Sequence, residues 1–215
     1  MPLTDIVEQE IPQAEVAVMC GPSHAEEVVH ENILDSLCNS TFFCSFYNCS
    51  RKSDSNFFRM ELGGSLKNVI ALAAGMADGL GYGDNTKAAL ITRGMFEMNK
   101  LAVTMGAKQE TLNGLTGIGD LIVTCESKHS RNRKAGMLIG QGYTMQQAMD
   151  EVKMVVEGVY SAKAAIALAK KYGVDMPIIE EVNKVLFEDK PAKEAVNDLM
   201  LRDKKMEHGN LGWED

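Results

Sequence analysis

The stretch LKNVIALAAGMADGLGYGDNTKAALITRGMFEMNKLAVTMG, residues 66–106, decides the fold. Leu66, Val69, Ile70, Ala73, Ala77 and Leu80 recur at helical spacing, and Gly79, Gly81 and Gly83 stop that helix. Asp84 then offers an N-cap for a second helix that runs to Gly106. The glycines read G-x-G-x-G, not G-x-G-x-x-G, and follow a helix where a dinucleotide fingerprint follows a strand. They make a helix-to-helix turn. With Lys67 near its start and Asp78 inside it, the apolar run is no membrane span.

Downstream the pattern continues. Helices are predicted around ETLNGL and DLIVTC, from Ser130 toward Ile139, and over YSAKAAIALAKKYG, PIIEEVNKVLF and PAKEAVNDLM. The last two open with proline at a first helical position. Helix after helix on short connections predicts an all-α domain over residues 61–215, in a chain that is mainly α.

Upstream the style changes. EVAVMCGPS predicts a short strand, Glu15 to Met19, entering a Gly-Pro turn and the helix start SHAEEVV. A strand leading through such a turn to a helix N-terminus is a usual place for phosphate or cofactor contacts. Residues 29–60 then hold five of the seven phenylalanines and no glycine, with Ser and Asn interrupting every apolar run. Neither period is convincing there, and the window reads as a poorly ordered loop.

The whole chain has 215 residues, 45% hydrophobic and 24% charged, as a soluble globular protein does. Its net charge of −8 disfavours a general nucleic-acid binder. MPLTDIVEQE is acidic and mixed, neither signal nor transit peptide, and the five cysteines form no C-x-x-C pair. They read as reduced thiols of a cytoplasmic protein. His24 and His129 are too isolated for a metal site, so none is expected.

Three stretches can carry chemistry. In ELGGSLKN, Gly63 and Gly64 precede a helix whose first turns carry Lys67 and Asn68. A lysine facing that dipole is either solvated or aimed at an anion or a polarised oxygen. In GIGDLIVTCESKHSRNRKAG, Asp120 sits in a glycine-flanked turn, with Thr124 one helical turn on. KHSRNRK (128–134) then gathers four cations, with Arg131 near a helix start and Ser130 and Asn132 as neutral donors beside it. Free N–H groups, guanidinium and hydroxyl converging describe a small-phosphate site. A solvated basic face fits the spacing equally well. A nucleic-acid patch fits worse, because no aromatic interleaves the cluster. In VVEGVYSAKAA, Glu157 reads as a cap or first-turn acid.

Together these stretches resemble the bacterial NAD(P)-dependent glycerol-3-phosphate dehydrogenases. The resemblance lies in GPSHAEEV (21–28), ELGGSLKNVIALAAGMADGLGYGDNTKAALITRG (61–94), GLTGIGDLIVTCESKHSRNRKAG (114–136), VVEGVYSAKA (155–164) and LMLRDKK (199–205). It implies interconversion of sn-glycerol 3-phosphate and dihydroxyacetone phosphate with NAD or NADP, feeding glycerophospholipid synthesis. It also implies a dinucleotide-binding α/β domain ahead of the all-α substrate domain, and a homodimer. By position, Lys67 matches the catalytic lysine, with Asn68 beside it and Asp120 orienting it. Lys67, Asp120, Ser130, Arg131 and Asn132 match substrate contacts, as do Gly21 and Ser23. Ala25, Arg131, Val155 and Glu157 match cofactor contacts. A phosphate substrate, rather than nucleic acid or membrane, is then the expected partner.

Two departures concern the cofactor. The 215 residues contain no G-x-G-x-x-G loop, so residues 1–60 read as an incomplete remnant of the dinucleotide-binding domain, truncated at the N-terminus. The window 29–60, flanked by family sequence on both sides, reads as a frameshifted stretch that leaves the strand at 15–19 without sheet neighbours. The alternative function is a non-catalytic helical domain that binds a phosphate compound or dimerises.

Overall fold

The computed structural model describes residues 3–13, 17–20, 48–51, 57–107 and 109–202. It is built from α1 (Leu3–Glu10), β1 (Ala17–Cys20), β2 (Asn48–Arg51), α2 (Phe57–Gly79) and α3 (Asp84–Thr104). There follow α4 (Gln109–Leu112), a π-helical turn (Leu115–Gly119), α5 (Asp120–Glu126), α6 (Arg131–Gly140) and α7 (Met145–Val152). The described chain ends with α8 (Glu157–Tyr172), α9 (Pro177–Phe187) and α10 (Ala192–Leu201).

α2 is the axis of the molecule. Val69, Ile70, Ala71, Leu72 and Ala74 are completely buried, so this helix presents apolar residues to neighbours on almost every side rather than along one stripe. It packs against α6, α8, α3 and α5. The α2–α6 contact rests on four glycines. A Cβ on Gly75 would strike the Arg133 carbonyl oxygen, and one on Gly79 that of Met137. Gly136 and Gly140 on α6 stand in the same relation to the Leu72 and Met76 carbonyl oxygens. Bare backbones four residues apart on both helices set this close approach.

Several expectations need correction. Gly63 and Gly64 lie inside α2, which starts at Phe57. Glycine at 63 is a packing choice, since Leu112 Cδ2 comes within 3.1 Å of where its Cβ would stand. Part of the window read as a loop is regular: Asn48–Arg51 forms a strand and 57–60 open α2, while 29–47 and 52–56 lie outside the described residues. β1 therefore has a neighbour, an antiparallel partner with Ala17 opposite Arg51 and Cys20 opposite Asn48. A backbone ladder needs no side-chain period, which is why the sequence was silent about it.

At the start of α3, Gly83 is the N-cap and Asp84 the first helical residue, where its charge meets the dipole without a capping bond. Pro191 caps α10 instead of occupying its first turn. α7 was not foreseen, although Thr144 and Gln147 form a complete capping box at its start. No helix of the described residues is long and apolar enough to cross a membrane. Cys125 is buried and free, and burial pushes its thiol up to about 12, leaving it inert.

Candidate active site

Lys67 lies roughly three turns into α2, beyond the reach of the dipole at that helix's N-terminus, so the unfavourable placement expected for it does not arise. It has a partner instead. Its Nζ donates to Oδ2 of Asp120 at 2.5 Å, with the lysine side chain 19% exposed and the carboxylate 6%. Asp120 is the first residue of α5, directly after the π-helical turn. Its position is locked from below, where the buried Thr124 hydroxyl donates to the Asp120 carbonyl at 2.6 Å.

The next residue of α2 reaches α8, and through it α6. Asn68 Nδ2 donates to Oε2 of Glu157, the first residue of α8, at 3.0 Å. The other carboxylate oxygen, Oε1, lies 3.6 Å from an Nη of Arg131, the first residue of α6. Asn132 closes the arrangement by accepting the Gly158 N–H at 2.8 Å. Gly158 has no room for a side chain, because the Asn68 carbonyl oxygen and Leu72 Cδ1 stand where a Cβ would go.

Three helices thus begin at one place, each with a charged first residue tied to α2 or to its neighbour. Their first-turn N–H groups and dipoles favour an anion. Lys67 and Arg131 supply two cations there, paired with Asp120 and Glu157.

The run KHSRNRK does not act as one patch. Ser130 is buried, and its hydroxyl caps α6 by accepting the Arg133 N–H at 3.3 Å. Arg133 folds away and grips Asp78 with Nε at 2.8 Å and an Nη at 2.6 Å. Lys87 reaches the same carboxylate at 3.0 Å. Burial pulls the Lys87 ammonium down, but the hydrogen bond and charge of Asp78 outweigh it and hold the group above its ordinary range. Lys128, His129 and Lys134 are exposed. Of the seven residues, Arg131 and Asn132 face the other candidate groups.

The structure brings together Lys67, Asn68, Asp120, Arg131, Asn132 and Glu157, with Ser130 at the root of α6. Val155 is 60% exposed, two residues before Glu157, and makes no part of the polar chain. Gly21, Ser23 and Ala25 lie outside the described residues. The sequence did not reveal Asp78 as the anchor of Arg133, nor Gly158 as the donor that fixes Asn132. An acid inside an apolar run and a glycine following a first-turn acid were the available signals.

The Glu157 carboxylate and the Arg131 guanidinium are both partly exposed and offer an acceptor and donors of the kind that ribose hydroxyls and phosphates bind. No group of three or more His, Cys, Asp or Glu fit for a metal occurs among the described residues. A cavity of about 420 Å³ lies elsewhere, among α2, α3, α9 and α10, lined by Met76, Phe96, Glu97, Ile178 and Leu199 among others.

Residues 57–197 match the family described as the C-terminus of NAD-dependent glycerol-3-phosphate dehydrogenase. A relative from Agathobacter rectalis, glycerol-3-phosphate dehydrogenase (NAD(P)+), is 67% identical over 99% of this chain and 66% of its own length. One from Fusobacterium nucleatum with the same name is 56% identical over 95% of this chain and 64% of its own length. The chain therefore spans slightly less than two thirds of these curated relatives. Among solved structures, glycerol-3-phosphate dehydrogenase from Coxiella burnetii superposes with a TM-score of 0.77 at 35% identity, covering 93% of this chain and 64% of that one.

Proposed function

This chain belongs to the NAD-dependent glycerol-3-phosphate dehydrogenase family, and on that premise we propose that it carries the substrate half of that reaction. The substrate pair is sn-glycerol 3-phosphate and dihydroxyacetone phosphate. The observation that carries the reading is the largely buried Lys67–Asp120 pair at the start of α5, joined through the neighbouring Asn68 to Glu157 at the start of α8. Lys67 holds the proton given to, or taken from, the C2 oxygen of the substrate, and the Asp120 carboxylate fixes the ammonium in place. Arg131, with the first-turn N–H groups of α6 and the amide of Asn132, receives the phosphate. Ser130 shapes that turn through its cap, and Asn68 steadies Glu157. Gly21 and Ser23 complete the substrate contacts.

Ala25, Arg131, Val155 and Glu157 would hold NAD or NADP, which supplies or accepts the hydride at C2 when bound. The catalytic unit of this reading is the helical domain, assigned to residues 61–215 from the sequence and opened in the structure by α2 from Phe57. The reading carries with it a cytoplasmic homodimer serving glycerophospholipid synthesis, with no nucleic-acid or membrane partner.

A second reading is phosphate binding without turnover, since Arg131 at the first residue of α6 can hold a phosphate without a nicotinamide cofactor. The test is oxidation of NADH and NADPH by the purified chain with dihydroxyacetone phosphate, with Lys67→Ala as the control. Turnover abolished in the control supports the dehydrogenase. A folded chain without turnover that still binds the substrate supports the second reading.

A further inference from the structure

Glu157 holds two partners with one carboxylate, and the two bonds are unequal. The hydrogen bond from Asn68 is 3.0 Å long, whereas the ion pair with Arg131 is 3.6 Å long between groups 39% and 55% exposed. The first is a true hydrogen bond to a residue fixed in the buried α2. The second is a loose surface pair of the kind that contributes little. Yet it is the one ion pair that Arg131 makes among the described residues.

We infer that Glu157 is a positioning residue that parks Arg131 when no anion is bound and competes with the substrate phosphate for it. This rests on the phosphate reading of Arg131 given above. Two facts make Arg131 easy to transfer. Its guanidinium is at the first residue of α6, beside free N–H groups that would share the same phosphate. A phosphate offers two oxygens to the planar fork where Glu157 offers one oxygen at a long distance. When the phosphate takes Arg131, Glu157 does not follow, because Asn68 retains its other oxygen. The side chain stays in place with Oε1 released for another donor. The carboxylate therefore sets the affinity for the anion below what the helix terminus and guanidinium would reach alone.

The test is a double-mutant cycle read by isothermal titration of inorganic phosphate and of sn-glycerol 3-phosphate into the full chain. Glu157→Gln keeps an acceptor for Asn68 but loses the charge, and it should tighten both ligands about two- to fivefold, the range of a loose surface pair. In an Arg131→Gln background the same change should have little effect. An equal gain in both backgrounds would show a diffuse charge effect and overturn the proposal. Unchanged or weaker binding in Glu157→Gln, with binding still dependent on Arg131, would also overturn it while leaving the phosphate reading intact. Binding indifferent to Arg131 would overturn both. Should Glu157→Gln lose its helical circular dichroism, Glu157→Asp, which withdraws the charge by one methylene, is read in the same cycle.

Discussion

Lys67 Nζ and Asp120 Oδ2 meet at 2.5 Å, joining the middle of α2 to the first residue of α5. The pair is largely buried, and α2 is the helix on which the rest of the core is assembled. The ammonium is thereby held by packing from one side and by a carboxylate from the other, at the place where α6 and α8 also begin. An orientation set by the core, and not by a loop, is what proton transfer at a defined oxygen requires.

Asp120→Asn keeps the shape of that contact but removes its charge. It should lower kcat with dihydroxyacetone phosphate by about a hundredfold, with a smaller change in KM, because the loss falls on proton transfer more than on phosphate binding. Steady-state kinetics would check this. A change confined to KM would contradict it.

Gly75→Ala forces a methyl group against the Arg133 carbonyl oxygen across the α2–α6 contact. Neither backbone can yield without moving a buried helix, so the variant should lose about 3 kcal/mol of stability by urea denaturation. Gly81→Ala, at a turn glycine with φ of 82° but open space around it, should cost only the smaller penalty of its backbone conformation.

Asp78→Asn leaves Arg133 and Lys87 without the carboxylate that both grip, in a region where all three side chains are largely buried. Breaking such a cluster from its centre should cost about 3 kcal/mol. It should also weaken phosphate binding, because Arg133 lies two residues from Arg131 in the same helical turn. Thermal unfolding and phosphate titration of one variant would read both effects.

Glu97 on α3 is buried and accepts N–H groups of Ile178 and Ile179 at 2.8 Å and 3.4 Å, capping α9 from outside. Burial pushes its carboxyl from 4.5 up to about 8, outweighing those two bonds. The folded chain keeps a proton that the unfolded chain has released. The stability this group contributes is therefore complete below about pH 4.5 and is lost as pH rises through about 8. Glu97→Gln should flatten the decline of the urea midpoint across that window. An identical pH dependence in both proteins would refute the assignment.

Much of the helical domain was legible because its elements carry strong local signals. Pro177 opens α9 and Phe187 closes it as the pattern required, and Gly173 takes the left-handed conformation that stops α8. Lys67, Asp120, Arg131 and Glu157 were singled out by residue type and by family resemblance, and the fold brings them together. What could not be read was pairing at long range. Asp78 meets Arg133 across 55 residues and Asn132 meets Gly158 across 26, through helix contacts that no local spacing encodes. The glycines of α2 misled for the same reason. Gly63 resembles a helix boundary, but its bareness answers to Leu112 in another element. The β1–β2 ladder, made by backbone groups, left no trace in side-chain period.

The central claim is that the phosphate substrate sits where α5, α6 and α8 begin against Lys67. It is tested most directly by titrating dihydroxyacetone phosphate into the isotopically labelled chain and following backbone amide resonances. The account predicts shifts concentrated at Lys67, Asp120, Arg131, Asn132, Glu157 and Gly158, with the amides of Ile178 and Ile179 beside Glu97 unmoved. Shifts centred on the exposed Lys128, His129 and Lys134, or on the cavity between α3 and α9, would contradict it.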